Sequence, residues 1–139
     1  MEYPQTWAVN NGKNVEAIGK YGCLAMCYLY CVGIEPDTAD YIQIVSNCMK
    51  IGVLDNECTV YNARNYLKHV TGKNFLVLKE SCTDISTVWE PTPVRYDYNG
   101  HSHWVVVENG KIVFNPLEYS NCVTLGKPVT KRTIALEVA

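Results

Sequence analysis

An α+β fold, with N-terminal helices packed on a C-terminal antiparallel sheet, follows from three observations on this sequence. The first half carries apolar residues at helical spacing, and the second carries β-branched runs punctuated by turn residues. Asn109-Gly110 sits between two of those runs, a strong hairpin signal. Helices come first and strands second, without the βαβ alternation that a parallel sheet needs. The 139 residues suit one domain. It divides into an N-terminal arm (1–19), a helical part (20–72) and a mainly β part (73–139).

The arm is irregular, because Pro4, Asn10, Asn11, Gly12 and Gly19 break any periodicity. The first helix is predicted over 23–32. Leu24, Cys27, Tyr28 and Cys31 share one face there, and Gly33 ends it. It is apolar nearly all round, which places it at the centre of the domain. A second helix opens at Pro36-Asp37-Thr38, with Asp37 as N-cap, and reaches about residue 49. A third covers 60–70 and stops at Thr71-Gly72. Strands are predicted over 75–79, 93–98, 103–107, 111–115 and 133–138, with a short helical turn at 84–88.

The hairpin admits two registers. A two-residue Asn-Gly turn pairs Glu108 with Lys111, sets His103 against Pro116 and points Asn115 to the other face. A three-residue loop, Glu108-Asn109-Gly110 with Gly110 left-handed, pairs Val107 with Lys111, Val106 with Ile112, Val105 with Val113 and Trp104 with Phe114. His103 then stands directly opposite Asn115. The second register is the expected one, because it brings an amide to an imidazole on one face.

Composition narrows the function. The formal charge is −2 with no long basic run, so nucleic acid and anionic membranes are not expected partners. No apolar stretch reaches the ~18 residues of a membrane span. The first residues lack a basic-then-apolar secretory signal, which leads us to expect a cytoplasmic protein. The seven cysteines, at 23, 27, 31, 48, 58, 82 and 122, are an odd number without a CxxC pair. That argues against a zinc ribbon or dithiol redox site and for reduced, mostly buried thiols. No cofactor is expected.

Cys23 is the chemical focus. It follows Gly22 at the start of the predicted central helix, where unpaired N–H groups and the helix dipole favour a thiolate. A cysteine nucleophile needs a base, and the base needs an orienting group. Of the three histidines, His69 reads as a surface helix residue, whereas His103 begins a valine-rich strand. Asn115 ends the partner strand, before Pro116.

Tyr21-Gly22-Cys23-Leu24-Ala25-Met26, His103-Trp104-Val105-Val106 and Asn115-Pro116, in that order, resemble the papain-like cysteine peptidases of the bacteriocin-leader-peptidase-like (double-glycine-peptidase-like) branch. The arm, Gln5-Thr6-Trp7-Ala8 leading to Ala17-Ile18-Gly19-Lys20, is similar to that family's as well. The resemblance covers roughly 3–33 and 101–117. It implies a papain-like fold with Cys23 as nucleophile, His103 as base, Asn115 as orienter and the Gln5 side chain as an oxyanion-hole donor. It implies a thioester intermediate and a peptide or peptide-like substrate, such as a bacterial leader or cell-wall peptide. Two positions depart from the pattern: Leu24 stands where many relatives carry a small residue, and Asn115 where aspartate is commoner.

The same residues have other readings. Asp97, on a neighbouring strand, is a second candidate to orient His103. His101 and His103 form a His-x-His pair that could ligate a metal, and Cys23, Cys27 and Cys31 form a thiol stripe that packing explains as well. Tyr96, Tyr98 and Trp104 either line a cleft or pack on the sheet. Two functional rivals share the fold: a catalytically inactive peptide- or protein-binding module, and an acyltransferase using the same triad.

Overall fold

The computed structural model describes residues 3–5, 16–37 and 40–137. It is α+β. Helices α1 (Glu16–Tyr21), α2 (Cys23–Cys31), α3 (Tyr41–Lys50) and α4 (Ala63–Thr71) precede strand β1 (Phe75–Ser81). A 3-10 turn (Ile85–Thr87), β2 (Thr92–Tyr98), β3 (His101–Glu108), β4 (Lys111–Phe114), α5 (Asn121–Leu125) and β5 (Lys127–Leu136) follow. The strands form one antiparallel sheet in the order β1-β5-β2-β3-β4. Among the described residues, no helix is long and apolar enough to cross a membrane.

Strand alternation builds two cores. Trp104, Val106 and Phe114 point to the helical side and pack with α2, α3 and α4. Val105 and Val107 point the other way and join Val94, Tyr96 and Cys122 beneath α5. Helix α2 fills the first core: Ala25, Met26, Cys27, Tyr28 and Leu29 are all buried. Its uniformly apolar sequence suits burial on every side. The Tyr66 hydroxyl donates to Ala25 O at 2.9 Å, tying α4 to it.

Gly22 joins α1 to α2. Its N–H donates to Ile18 O at 2.9 Å, and a Cβ there would lie 2.5 Å from that same oxygen. The glycine before Cys23 is therefore required by close backbone approach.

The arm was expected to be irregular through residue 19, but α1 begins at Glu16. Three further expectations are corrected. Helix α3 starts at Tyr41, not near Pro36, because Asp40 rather than Asp37 is the N-cap, its carboxylate accepting from Gln43 N–H at 3.1 Å. Residues 38–39 lie outside those described. Strand β5 begins at Lys127 and not at 133, and α5 was not expected.

The last correction is the hairpin. Its turn has two residues, Asn109 (φ 52°) and Gly110 (φ 74°), and pairs Glu108 with Lys111. Two positive φ values match the strand twist. The turn is also held from outside: Asn109 N–H donates to Trp89 O at 3.0 Å and Gly110 N–H to Val88 O at 2.8 Å. The extra residue lies in β4. Val107 pairs with Ile112 and Val106 with Phe114, so Val113 has no partner. This bulge shifts the register by one residue and restores the face relation that a regular two-residue hairpin would lose.

Candidate active site

Cys23 opens α2, and Gly22 at the N-cap supplies no side-chain hydrogen bond to the first turn. The Cys23 sulfur faces the backbone N–H groups of Trp104, Leu24 and Cys23 itself. Trp104 directly follows His103, so the start of α2 abuts the start of β3. Strand β4 pairs only with Val106, Val107 and Glu108, which leaves that end of β3 open on one side. Cys23 is partly buried and lines a cleft of about 280 Å³ with Tyr21, Leu24, Cys58, Ser102 and Trp104.

His103 is buried, and its Nε2 lies 2.7 Å from Asn115 Oδ1. That oxygen also accepts from Leu117 N–H at 3.0 Å. An acceptor fixed in this way requires the proton on Nε2, which leaves the Nδ1 lone pair as the base. Among the described residues no hydrogen bond joins the ring to the Cys23 thiol. Such contacts commonly close only when substrate binds.

Gln5 is 1% exposed. Its backbone N–H donates to Pro116 O at 3.0 Å, and its side-chain Nε2 donates to Gly19 O at 3.1 Å. The arm is thus tied both to the Asn115-Pro116 strand end and to the segment leading into Cys23. One amide hydrogen remains for a ligand, and Oε1 is buried with no partner among the described residues. Trp7 and Ala8 lie outside the described residues.

Burial sets the charges. It pushes the Cys23 thiol up from its ordinary value, against the pull of the three N–H groups. It brings the His103 imidazole down, against the raising effect of the Asn115 hydrogen bond. Both groups rest neutral near pH 7. Desolvation thus opposes the thiolate that the helix N-terminus favours.

The other candidates separate from this site. Asp97 is held by Arg95 at 3.0 Å and by the Ser102 hydroxyl at 2.8 Å. It pairs with Ser102 across the sheet, on the face opposite to His103. His101 is exposed at the start of β3. Among the described residues no group of three His, Cys, Asp or Glu side chains could hold a metal. All seven cysteines are free thiols, with Cys27 fully buried in the first core. Trp104 lines the cleft, whereas Tyr96 packs in the second core. His69 lies in the last turn of α4.

Two features of the site were not foreseen. Residues 57–60 wall the cleft, and Cys58 there has φ 58°, held by Asp55 Oδ1 accepting from Glu57 N–H at 2.8 Å and Thr59 N–H at 2.9 Å. An Asp four residues before a Thr was the available signal. Arg132 lies over the Trp104 ring, 4.7 Å from its centroid, a contact with no local sequence mark.

Comparison with known proteins finds no matching family model, no similar curated protein and no similar solved structure.

Proposed function

We propose that this chain is a papain-like cysteine peptidase, or a close amide hydrolase, acting through Cys23, His103 and Asn115. The observation that carries the reading is the 2.7 Å contact between His103 Nε2 and Asn115 Oδ1, beside a strand whose next amide faces the Cys23 sulfur. A buried imidazole held by a side-chain amide, with its other nitrogen left as a base, is what a thiol nucleophile needs. The order of Gln5, Cys23, His103 and Asn115 supports the bacteriocin-leader-peptidase-like branch and a bacterial peptide as substrate. An α2 N-terminus set against β3 is compatible with a papain-like arrangement.

The chemistry runs from neutral partners. His103 Nδ1 takes the Cys23 proton as the sulfur attacks the substrate carbonyl carbon. The oxyanion receives the Cys23 N–H and the remaining Gln5 amide hydrogen. The C–N bond breaks, and the imidazolium proton passes to the leaving amine. Water then attacks the thioester with His103 as base, which releases the acid and returns the proton to sulfur.

An inactive peptide-binding module is favoured by one observation: the Gln5 amide already donates to Gly19 O. Incubation with a defined mixture of synthetic peptides separates the two readings. The peptidase produces new peptide termini that Cys23→Ala does not. Peptides that stay intact with both proteins yet bind to them support the binding module. Transfer to an added amine in place of water identifies an acyltransferase.

A further inference from the structure

We propose that a cationic cavity beside the Cys23 cleft is a subsite for a substrate carboxylate; this rests on the peptidase reading. The cavity encloses about 280 Å³ between α2, α4 and the β1–β5 pair. Among the described residues its wall includes Arg64, Lys79 and Arg132, and no acidic residue. Leu24 and Val60 line both this cavity and the Cys23 cleft. Trp104 also bridges them, since it lines the cleft and carries Arg132 on its ring.

The charges are arranged at a cost. Arg64 is neutralised by Glu137 at 2.8 Å. Lys79 and Arg132 are directly opposed across the β1–β5 ladder, where like charges repel. Neither meets a carboxylate among the described residues. Among the described residues the Arg132 guanidinium bonds neutral acceptors, Thr130 Oγ1 at 3.3 Å and Lys131 O at 3.4 Å. Burial lowers its proton affinity, and nearby Arg95 adds to that against the opposing effect of Tyr28. A carboxylate entering the cavity supplies the missing counter-charge to both cations, and the planar guanidinium suits a two-oxygen acceptor. The occupant is an acidic side chain or a free C-terminal carboxylate of the substrate.

The 139-residue Cys23→Ala protein is titrated calorimetrically with acetylated pentapeptides of alanine. Glutamate or glutamine replaces one position at a time, and the C-terminus is free or amidated. We expect one acid-bearing peptide to bind about tenfold tighter than its amide counterpart. Adding Arg132→Gln brings that ratio close to one, Lys79→Gln reduces it, and the charge-retaining Arg132→Lys keeps part of it. The ratio does not depend on the fraction of protein folded, and Lys79→Gln tests the cavity without disturbing the stack on Trp104. A preference for the free terminus identifies the C-terminal carboxylate, and a preference for glutamate identifies a side chain. Equal binding of acid and amide peptides overturns the subsite, as does a preference that both variants leave intact. Vinyl sulfones of the same peptides, added to wild type, report on Cys23 separately. Acid preference without labelling of Cys23 leaves the subsite standing and overturns the peptidase reading.

Discussion

His103 Nε2 lies 2.7 Å from Asn115 Oδ1, yet the two residues are not partners in the β3–β4 ladder. The bulge at Val113 sets the relation. Beyond it Val106 faces Phe114, so the next residue, Asn115, turns to the side shared by Val105 and His103. One unpaired valine in an edge strand thereby decides which nitrogen of His103 meets Asn115.

Removing that amide should release the ring. Asn115→Ala loses one hydrogen bond to the imidazole and leaves Leu117 N–H without its acceptor. A loss of about 1–1.5 kcal/mol lowers the rate of Cys23 chemistry by roughly tenfold. Asn115→Asp keeps the acceptor and adds charge, so the acid limb of the pH profile moves upward. Rate against pH for both variants checks this.

The pH response has a defined sign. The folded His103 binds its proton less readily than the unfolded residue, whose ordinary value is 6.5. Its contribution to stability is present above 6.5 and is lost as pH falls through the lower folded value. Urea midpoints should therefore drop between about pH 7 and pH 5, and drop less in His103→Gln. Activity should fall over the same acid range. Its alkaline change should lie above the ordinary cysteine value of 9.0, since burial raises Cys23.

Gly22→Ala tests the joint between α1 and α2. Its Cβ would meet Ile18 O at 2.5 Å, and a backbone atom cannot rotate away. Overpacking of this kind costs about 1–3 kcal/mol. Thermal unfolding should register a melting temperature lower by roughly 5–10 °C, together with slower chemistry at Cys23.

Gln5→Ala separates an oxyanion donor from a structural tie. The variant loses the bond to Gly19 O but also removes an unpaired buried oxygen, Oε1. These effects oppose each other, so stability should change by less than about 1 kcal/mol. Loss of an oxyanion donor should lower kcat about 100-fold or more with little change in KM. A purely structural Gln5 would show the reverse: lower stability and an unchanged kcat.

Much of the framework is legible in the sequence, for physical reasons. The apolar run after Cys23 can only be buried, and Gly33 stops it, so α2 is readable to within one residue at its end. The hairpin is readable from Asn109-Gly110. Its bulge is not, because Val113 is an ordinary strand residue and only tertiary pairing leaves it unmatched. The expected closeness of His103 and Asn115 thus rested on a bulge placed in the turn, while the actual one lies three residues later. Helix α5 has five residues and no clear period; Cys122 buried in the second core holds it. Pro128 masked the start of β5, since proline within a run argues against a strand. It sits at the irregularity where β2 and β5 change register. Arg132 reaches the site only through folding and belongs to no local motif.

Iodoacetamide labelling, followed residue by residue with mass spectrometry at about pH 7, tests the central claim most directly. A Cys23 thiol served by His103 should be alkylated at least about tenfold faster than the other six cysteines, and His103→Gln should abolish that advantage. Alkylation of Cys23 at the same slow rate as the partly buried Cys31, unchanged by His103→Gln, would contradict a nucleophilic role for Cys23.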